Sequence, residues 1–584
     1  MKQTSYIYNK VKGGLMAGAL LLTAGTFTAC SDFLDLEPIN EIVEDNFWNE
    51  ESDVENMIAG CYSSLQSQSV IDRMMVWGEA RSENIAAGPQ INDDTSLGNI
   101  FKENITASNG YLTWVDFYYV INKCNLIIAR APQVAEKDPN YTQSELLATI
   151  AEASALRDLC YFYLIRAFRD VPYTTEPYVD DTQTMAFAAT PFDTVLDALI
   201  EDLESIQNNA VKTYPETKTY YQTGRITQDA IHAMLCDMYL WKGDYQNAIK
   251  YADLVINSFQ EKYEETSDKY GGVSSGNVDK LINGFPLISD ESSMGNNMYG
   301  AAYAAIFGSG NSSESIFELT FMDDNSMLSN SAISYRYGNA TNMGSAAFFK
   351  ASDYVSKDIS ESQYKVFHNK YDTRAYENMT TAQAITKYAC TLSTVDFSET
   401  EPSTVRSYSY AEKYCHANWI IYRLTDVMLM KAEALTQLVS SGDSTETLSE
   451  TDESYLRSAL YICNAVNKRS YGQKNQTDTL AYRNYRSKEL MQNLVFDERE
   501  RELMFEGKRW FDLVRRSRRD NSTAYLVEHC TLKGVDNASV VRSKLGKMDA
   551  IYWPYHEDEL KVNPYLVQNP AFGSGDDSSY DINY

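Results

Sequence analysis

Positive charge is scarce in this sequence: 51 lysines and arginines stand against 81 aspartates and glutamates, a formal net charge of −30 over 584 residues. A surface this acidic repels phosphate backbones, so no nucleic-acid partner is expected. Polyanionic substrates are disfavoured too unless a local basic patch intervenes, and a neutral ligand fits the charge best. Histidine is equally sparse, with only His232, His368, His416, His529 and His556. There is no H-E-x-x-H metal motif, since His556-Glu557-Asp558-Glu559 begins like one and lacks the second ligand. The G-x-x-x-x-G-K phosphate loop is also missing. Carboxylates are so numerous that a glycosidase pair drawn from sequence has no content. No C-x-x-C pair occurs among Cys61, Cys124, Cys160, Cys236, Cys390, Cys415, Cys463 and Cys530. Neither a zinc site nor a disulfide framework is therefore expected, and buried free thiols are the default. These absences argue against an enzyme and against any cofactor or metal.

Long apolar runs are confined to the N-terminus. Lys2, Lys10 and Lys12 precede an apolar stretch from Leu15 to Ala29 that is too short to span a bilayer comfortably. It ends in Phe27-Thr28-Ala29-Cys30, which resembles a bacterial lipobox with phenylalanine in place of the usual leucine. Residues 1–29 are read as a lipoprotein signal peptide, Cys30 as the lipidated residue, and 30–45 as a short acidic linker. A thiol is needed there because its sulfur takes the diacylglyceryl group, and two or three acyl chains anchor a soluble body stably. The membrane is expected to hold this protein through lipid alone, at the outer membrane and exposed on the cell surface.

The rest, 46–584, reads as one mostly helical domain. Val54, Ile58, Cys61, Tyr62 and Leu65 recur every three or four residues, as do Leu146, Ile150, Ala153, Leu156, Cys160, Tyr163 and Ala167. The second pattern predicts a helix over 145–168 with one buried face, halted before Asp170-Val171-Pro172. A further helix is predicted over 192–206. Ala230, Ala233, Met234 and Tyr239, then Gly243-Asp244-Tyr245 and Ala248, Tyr251, Ala252 and Val255, resemble a tetratricopeptide helix pair. A weaker echo runs through Leu424, Val427, Met428, Lys431, Ala432 and Leu435 to a helix over 455–466. Helix pairs are thus expected over about 111–257 and 415–467. From about 258 to 409 periodicity fades, Gly, Ser and Asn accumulate and tryptophan is absent. Only Ser315 to Phe321 alternates like a strand. So long an irregular section inside a compact body points to binding.

The most informative stretch runs from Asn493 to Arg519. Leu494, Phe505, Trp510, Phe511, Leu513 and Val514 give it apolar faces on either side of Gly507. Between them, Asp497 with Arg501, Glu498 with Arg501, Glu506 with Arg509 and Asp512 with Arg516 have helical surface spacing. Pattern alone reads as a charged helix with one buried side. Yet Glu498-Arg499, Arg501-Glu502-Leu503, Phe505-Glu506-Gly507, Arg509-Trp510-Phe511-Asp512-Leu513 and Arg515 resemble the C-terminal signature of the SusD/RagB family of surface glycan-binding lipoproteins. Other motifs agree: Trp77-Gly78-Glu79-Ala80-Arg81-Ser82-Glu83-Asn84, and an ending with Asn563-Pro564 and Gln568-Asn569-Pro570. The C-terminal signature is placed at 489–572.

The resemblance implies a SusD-like α-α superhelix with an irregular ligand-facing section. Its implied function is capture of a neutral oligosaccharide or polysaccharide and delivery to a SusC-like, TonB-dependent β-barrel. In that family an arc of loop aromatics with nearby Arg and Asn holds the glycan. Here the candidates are Arg81, Asn84, Tyr299, Tyr303, Tyr335 and Tyr337; Arg81 could equally be a salt-bridged residue holding its loop. Two other readings stay open: a surface scaffold or peptide binder without sugar binding, and a lipid-anchored glycan hydrolase.

Overall fold

The structure, a computed structural model, describes residues 47–180, 182–269, 280–292, 297–321, 329–360, 365–367, 369–409, 415–440, 448–472 and 480–573. The signal peptide, Cys30 and the linker lie outside the described residues. From Glu50 onward the chain forms one compact unit.

Helices dominate it. They are α1 (Glu51–Leu65), α2 (Gln68–Met75), α3 (Val115–Lys137), α4 (Gln143–Phe168), α5 (Phe192–Ile206), α6 (Gln228–Lys242) and α7 (Tyr245–Lys269) in the first half. The second half contributes α8 (Leu424–Gln437), α9 (Glu450–Arg469), α10 (Lys488–Leu503) and α11 (Arg509–Asp520). Caps fix several starts: Thr142 and Glu145 form a reciprocal capping box on α4, and the side chains of Thr227, Ser449 and Ser487 each accept a backbone N–H of the following turn. Gly243 ends α6 in the left-handed conformation at φ +81°, which lets α7 fold back on it within two residues. The order of packing follows the chain: α3 on α4, α4 on α5, α5 on α6, α6 on α7, α7 on α8, α8 on α9, and α10 against both α8 and α9.

The predicted helices over 145–168 and 192–206 are present, the first beginning at Gln143. Two details differ. Helix α4 is buried all round from Ala151 to Phe168, because α3, α5 and the C-terminal signature surround it. Helix α8 starts only at Leu424, because Trp419–Arg423 before it is a strand.

The section between α7 and α8 carries short strands rather than plain loop. Strands β4 (Met298–Tyr299), β7 (Cys390–Asp396) and β8 (Ser403–Tyr408) form an antiparallel sheet in the order β4-β7-β8. The expected strand appears as β5 (Ser315–Leu319), antiparallel to β9 (Trp419–Arg423). A hairpin joins β2 (Lys280–Ile282) to β3 (Phe285–Leu287). Most consequential is the pairing of β1 (Ile85–Ala87) with β6 (Phe349–Ala351), Ile85 opposite Ala351 and Ala87 opposite Phe349. It binds two segments about 260 residues apart in sequence.

Candidate functional site

The C-terminal signature builds the interior that carries the site. Glu498, Arg499, Glu500, Arg501 and Glu502 are all buried, although they read as a surface face in sequence. Their partners come from distant segments. Glu502 meets Arg423 at 2.6 Å, Arg374 at 3.1 Å and also Arg469. Arg499 bridges Asp426 and Asp512 at 3.0 and 2.9 Å, and Arg509 holds Glu83 at 2.7 Å. Of the expected local pairs, Glu498 with Arg501 forms at 2.8 Å. Glu506 instead takes Arg423 and Lys387, because Gly507 at φ +70° breaks the helix before Arg509. Arg516 pairs with Asp520 rather than Asp512.

Most of the sequence-predicted ligand contacts are spent inside this framework. Arg81 is 1 % exposed. Its guanidinium forks onto Glu103, donates to the Ala550 and Ile551 carbonyls and lies 4.2 Å from the Trp510 ring centre. It staples a loop in place, the other role sequence allowed it, and has no surface to offer a ligand. Asn84 is wholly buried, with its amide on the Glu79 carboxylate at 3.3 Å. Tyr299 packs against Phe397 at 5.8 Å, the Tyr303 hydroxyl donates to the Thr386 carbonyl, and the Tyr337 hydroxyl donates to the Phe505 carbonyl at 2.8 Å. All three tyrosines are buried. A side chain without accessible surface cannot stack on a sugar, so these five candidates are corrected to structural roles.

Tyr335 is the exception, 39 % exposed. It lies in a six-residue helix, Ser331–Arg336, started by the Asn330 side chain. The next residue, Arg336, is buried and anchors the segment. It makes a double ion pair with Asp72 at 3.0 Å, donates to the Tyr111 hydroxyl at 2.7 Å and lies 5.4 Å from both the Tyr111 and Phe348 ring centres. Tyr111 donates in turn to Asp94. Burial chiefly, with Asp94 and Asp72 adding to it against the opposing Arg336, pushes the Tyr111 phenol upward, so it stays a neutral donor. Beyond the β1–β6 ladder, Gly88 and Gln90 donate to the Phe348 and Ala347 carbonyls, and Phe348 donates to the Tyr335 carbonyl. A Cβ on Gly88 would run into the Ala347–Phe348 backbone, so glycine permits this close approach.

The polar loop after Asn84 and the segment around Tyr335 thereby become one cluster. Its surface presents the Tyr335 ring, half-buried Phe348 and Tyr111, and exposed Asn92, Asp93 and Met343. Sequence reasoning missed Tyr111, Arg336 and Phe348. A buried arginine between aromatics leaves no local pattern, because its acidic partner Asp72 is 264 residues away. Among the described residues no group of three or more His, Cys, Asp or Glu is placed to hold a metal ion. No helix among them is long and apolar enough to cross a membrane.

Comparison with known proteins assigns the framework. A family model described as the SusD family matches residues 257–572, and one described as starch-binding, associating with the outer membrane, matches 32–240. "SusD-like protein P38" of Formosa agariphila is 23 % identical over 559 residues, covering 95 % of this chain and 98 % of its own. Among solved structures, a SusD superfamily protein of Bacteroides thetaiotaomicron superposes with a TM-score of 0.61 at 19 % identity, over 90 % of this chain and 99 % of that one. A "laminarin binding SusD-like protein" gives 0.57 at 19 % identity over 90 % and 100 %, and NanU of B. fragilis 0.58 at 18 % over 92 % and 100 %. With a buried signature at its centre and a family match over more than half of its length, this chain belongs to the SusD family.

Proposed function

We propose that this protein is a glycan-capturing lipoprotein, held at the outer membrane through Cys30, that passes neutral oligosaccharides to a SusC-like TonB-dependent barrel. The observation that carries the reading is the exposed Tyr335 ring on a cluster whose base Arg336 locks in place. Sugars offer flat C–H faces to such a ring and hydroxyls to carboxylates, amides and phenols, and the two segments that form the cluster carry exposed Asn92 and Asp93 and half-buried Tyr111. A ring covering ~50–100 Å² of sugar contributes roughly 1–2.5 kcal/mol, so a few contacts give weak, reversible capture suited to hand-over. Membership of the family, the starch-binding description of the second matching model and the laminarin-binding neighbour support the ligand class. The net charge of −30 favours a neutral glycan over an acidic one.

Delivery needs a protein-facing surface. Val562, Tyr565 and Val567 are 73, 61 and 82 % exposed, and Val115 and Tyr119 stand out on the helix whose Trp114 packs on Tyr555 at 5.3 Å. Exposed apolar side chains gathered in this way suit a protein partner. Capture without turnover is the reading for chemistry. Gly272-Val273-Ser274-Ser275-Gly276 has the spacing of a nucleophile elbow, but it follows helix α7 rather than the strand such an elbow requires, and lies outside the described residues.

Affinity electrophoresis and calorimetry against neutral glycans test the reading. Wild type is retarded and releases the glycan uncut, whereas Tyr335→Ala loses about 5- to 60-fold in affinity. Peptide binding without any sugar response, or glycan cleavage by purified protein, overturns it.

A further inference from the structure

A concavity lies among other elements and shares no residue with the Tyr335 cluster. It is a cleft of about 870 Å³ between α7 and α9, floored by α8 and closed at one end by the β2–β3 hairpin. Its walls follow from helix periodicity. Leu456, Ala459, Leu460 and Cys463 bury one side of α9 in the core, which leaves Ser454, Arg457, Ser458 and Tyr461 on the opposite stripe. Across from it, Asp253, Asn257 and Gln260 form the matching stripe of α7. An ordinary solvent-facing stripe lies on a convex surface, whereas these two face one another.

The chemistry inside is that of a saccharide site. Tyr461 is 51 % exposed, and its inner edge rests on Phe285 with ring centres 5.9 Å apart, so an open aromatic surface is held in a fixed attitude. The turn Asn283-Gly284 adopts positive φ at both residues, +48° and +74°, and Gln260 donates to the Gly284 carbonyl at 2.9 Å, which fixes the hairpin against α7. Arg457 lies over the Tyr482 ring, 4.0 Å from its centre, and pairs with Glu453. Lys431 on the floor pairs with Asp253. Both cations are therefore answered by carboxylates, and Glu450 adds a further negative charge. Among the described residues that line the cleft, no uncompensated cation stands ready for a sulfate, phosphate or uronate. What remains is an aromatic face, amides and hydroxyls. The volume falls in the range that encloses a small ligand, about 300–1,000 Å³, so a short run of sugar units fits.

We infer that this cleft is a second, independent binding site for neutral oligosaccharide, with Tyr461 as its stacking platform. The inference rests on the reading of the protein as a glycan binder and adds a site to it. Two weak sites on one body turn a long glycan into a bivalent ligand. The second contact is made at an effective concentration near the millimolar range when the chain can span the sites, and avidity rises without either site becoming tight. Long chains are then retained while short fragments leave.

The test uses the full chain, laminarin- and starch-type polysaccharides, and their short oligomers. Four proteins are compared by calorimetry and affinity electrophoresis: wild type, Tyr335→Ala, Tyr461→Ala and the double variant. The expected result has three parts. Tyr335→Ala retains weak oligosaccharide binding, and adding Tyr461→Ala removes it. In addition, Tyr461→Ala alone costs about tenfold or more in affinity for the polysaccharide. Unchanged thermal unfolding of Tyr461→Ala, whose ring is half exposed, shows that the fold is intact. If Tyr335→Ala abolishes all binding while Tyr461→Ala behaves as wild type, the cleft proposal falls and glycan capture stands. If wild type binds no glycan of the set, both fall. If Tyr461→Ala weakens binding of a peptide or protein partner and leaves glycan binding untouched, the cleft is a protein-docking site and the proposal is overturned.

Discussion

Gly78 and Gly507 meet backbone to backbone. A Cβ on Gly78 would clash outright with the Gly507 carbonyl and lie 3.1 Å from its Cα, while a Cβ on Gly507 would lie 2.9 Å from the Met74 carbonyl. These glycines belong to the two motifs most typical of the sequence, Trp77-Gly78-Glu79 and Phe505-Glu506-Gly507, and their contact brings the N-terminal third onto the C-terminal signature. The backbone cannot yield there, because the Glu79 carboxylate accepts the Phe505 and Lys508 N–H groups at 3.3 and 3.2 Å. Gly78→Ala is expected to cost about 3 kcal/mol or more through overpacking. Chemical denaturation checks it, and a variant as stable as wild type removes the contact from the account.

Glu502 answers three buried arginines, Arg374, Arg423 and Arg469. Burial alone would raise its carboxyl, but those three cations outweigh it and hold it well below the ordinary value of 4.5. A depressed folded-state value means stability that is present above about pH 4.5 and lost as acid protonates the group. Glu502→Gln keeps the shape and removes the one carboxylate that Arg374, Arg423 and Arg469 share, while each retains another partner in Glu498, Glu506 and Glu314, so a loss of about 3 kcal/mol is expected at neutral pH, shrinking toward low pH. Urea melts at several pH values measure both.

Glu79 behaves in the opposite sense. Burial, opposed only by hydrogen bonds from Asn84 and nearby backbone N–H groups, pushes it up to about 7. The folded protein holds a proton there that the unfolded chain releases above about pH 4.5, so this contribution is full at low pH and declines as pH rises through about 7. Glu79→Gln mimics the protonated form and should flatten that part of the stability–pH curve, with the largest gain over wild type above pH 7. An unchanged slope between pH 5 and 8 would count against it.

How much of this was legible in the sequence follows from the range of each interaction. Helix α5 carries its whole apolar period within fifteen residues, and that period shows it from end to end. The signature could be recognised by type and order, yet its burial could not. Glu83, Arg374 and Asp426 lie between 73 and 426 residues from their partners in the signature, and nothing local separates a surface ion pair from an internal one. The same limit misassigned the ligand arc. Tyr335 and Tyr337 are two residues apart at the end of a short helix, and which of them faces solvent depends on where Phe505 sits, not on their own neighbours. Arg81 reads as a binding arginine until Glu103 and Trp510 close over it.

Thiol chemistry gives a fourth prediction. Among the described residues eight cysteines are buried and unbonded, including Cys61 and Cys124 with sulfurs 3.8 Å apart between packed helices α1 and α3. Burial pushes the Cys124 thiol well above its ordinary range, which leaves almost no thiolate to react. A thiol reagent should modify none of the eight in the native protein and all of them after denaturation. Six rather than eight of these thiols reacting in non-reducing denaturant would mean that Cys61 and Cys124 have paired.

The two neighbouring tyrosines separate stability from binding. Tyr337 is fully buried and its hydroxyl caps the Phe505 carbonyl at 2.8 Å, inside the turn that carries Gly507. Tyr337→Phe strands that carbonyl and should cost about 1 kcal/mol in stability, with glycan affinity unchanged. Tyr335→Ala removes an exposed ring whose backbone is held by Arg336 and by Phe348 N–H, so its unfolding should match wild type while glycan affinity falls by about 1–2.5 kcal/mol. Paired denaturation and calorimetry read both properties on both variants. If Tyr337→Phe loses affinity while Tyr335→Ala keeps it, the ligand is reaching the interior side of the cluster, and Tyr335 has been given the wrong role.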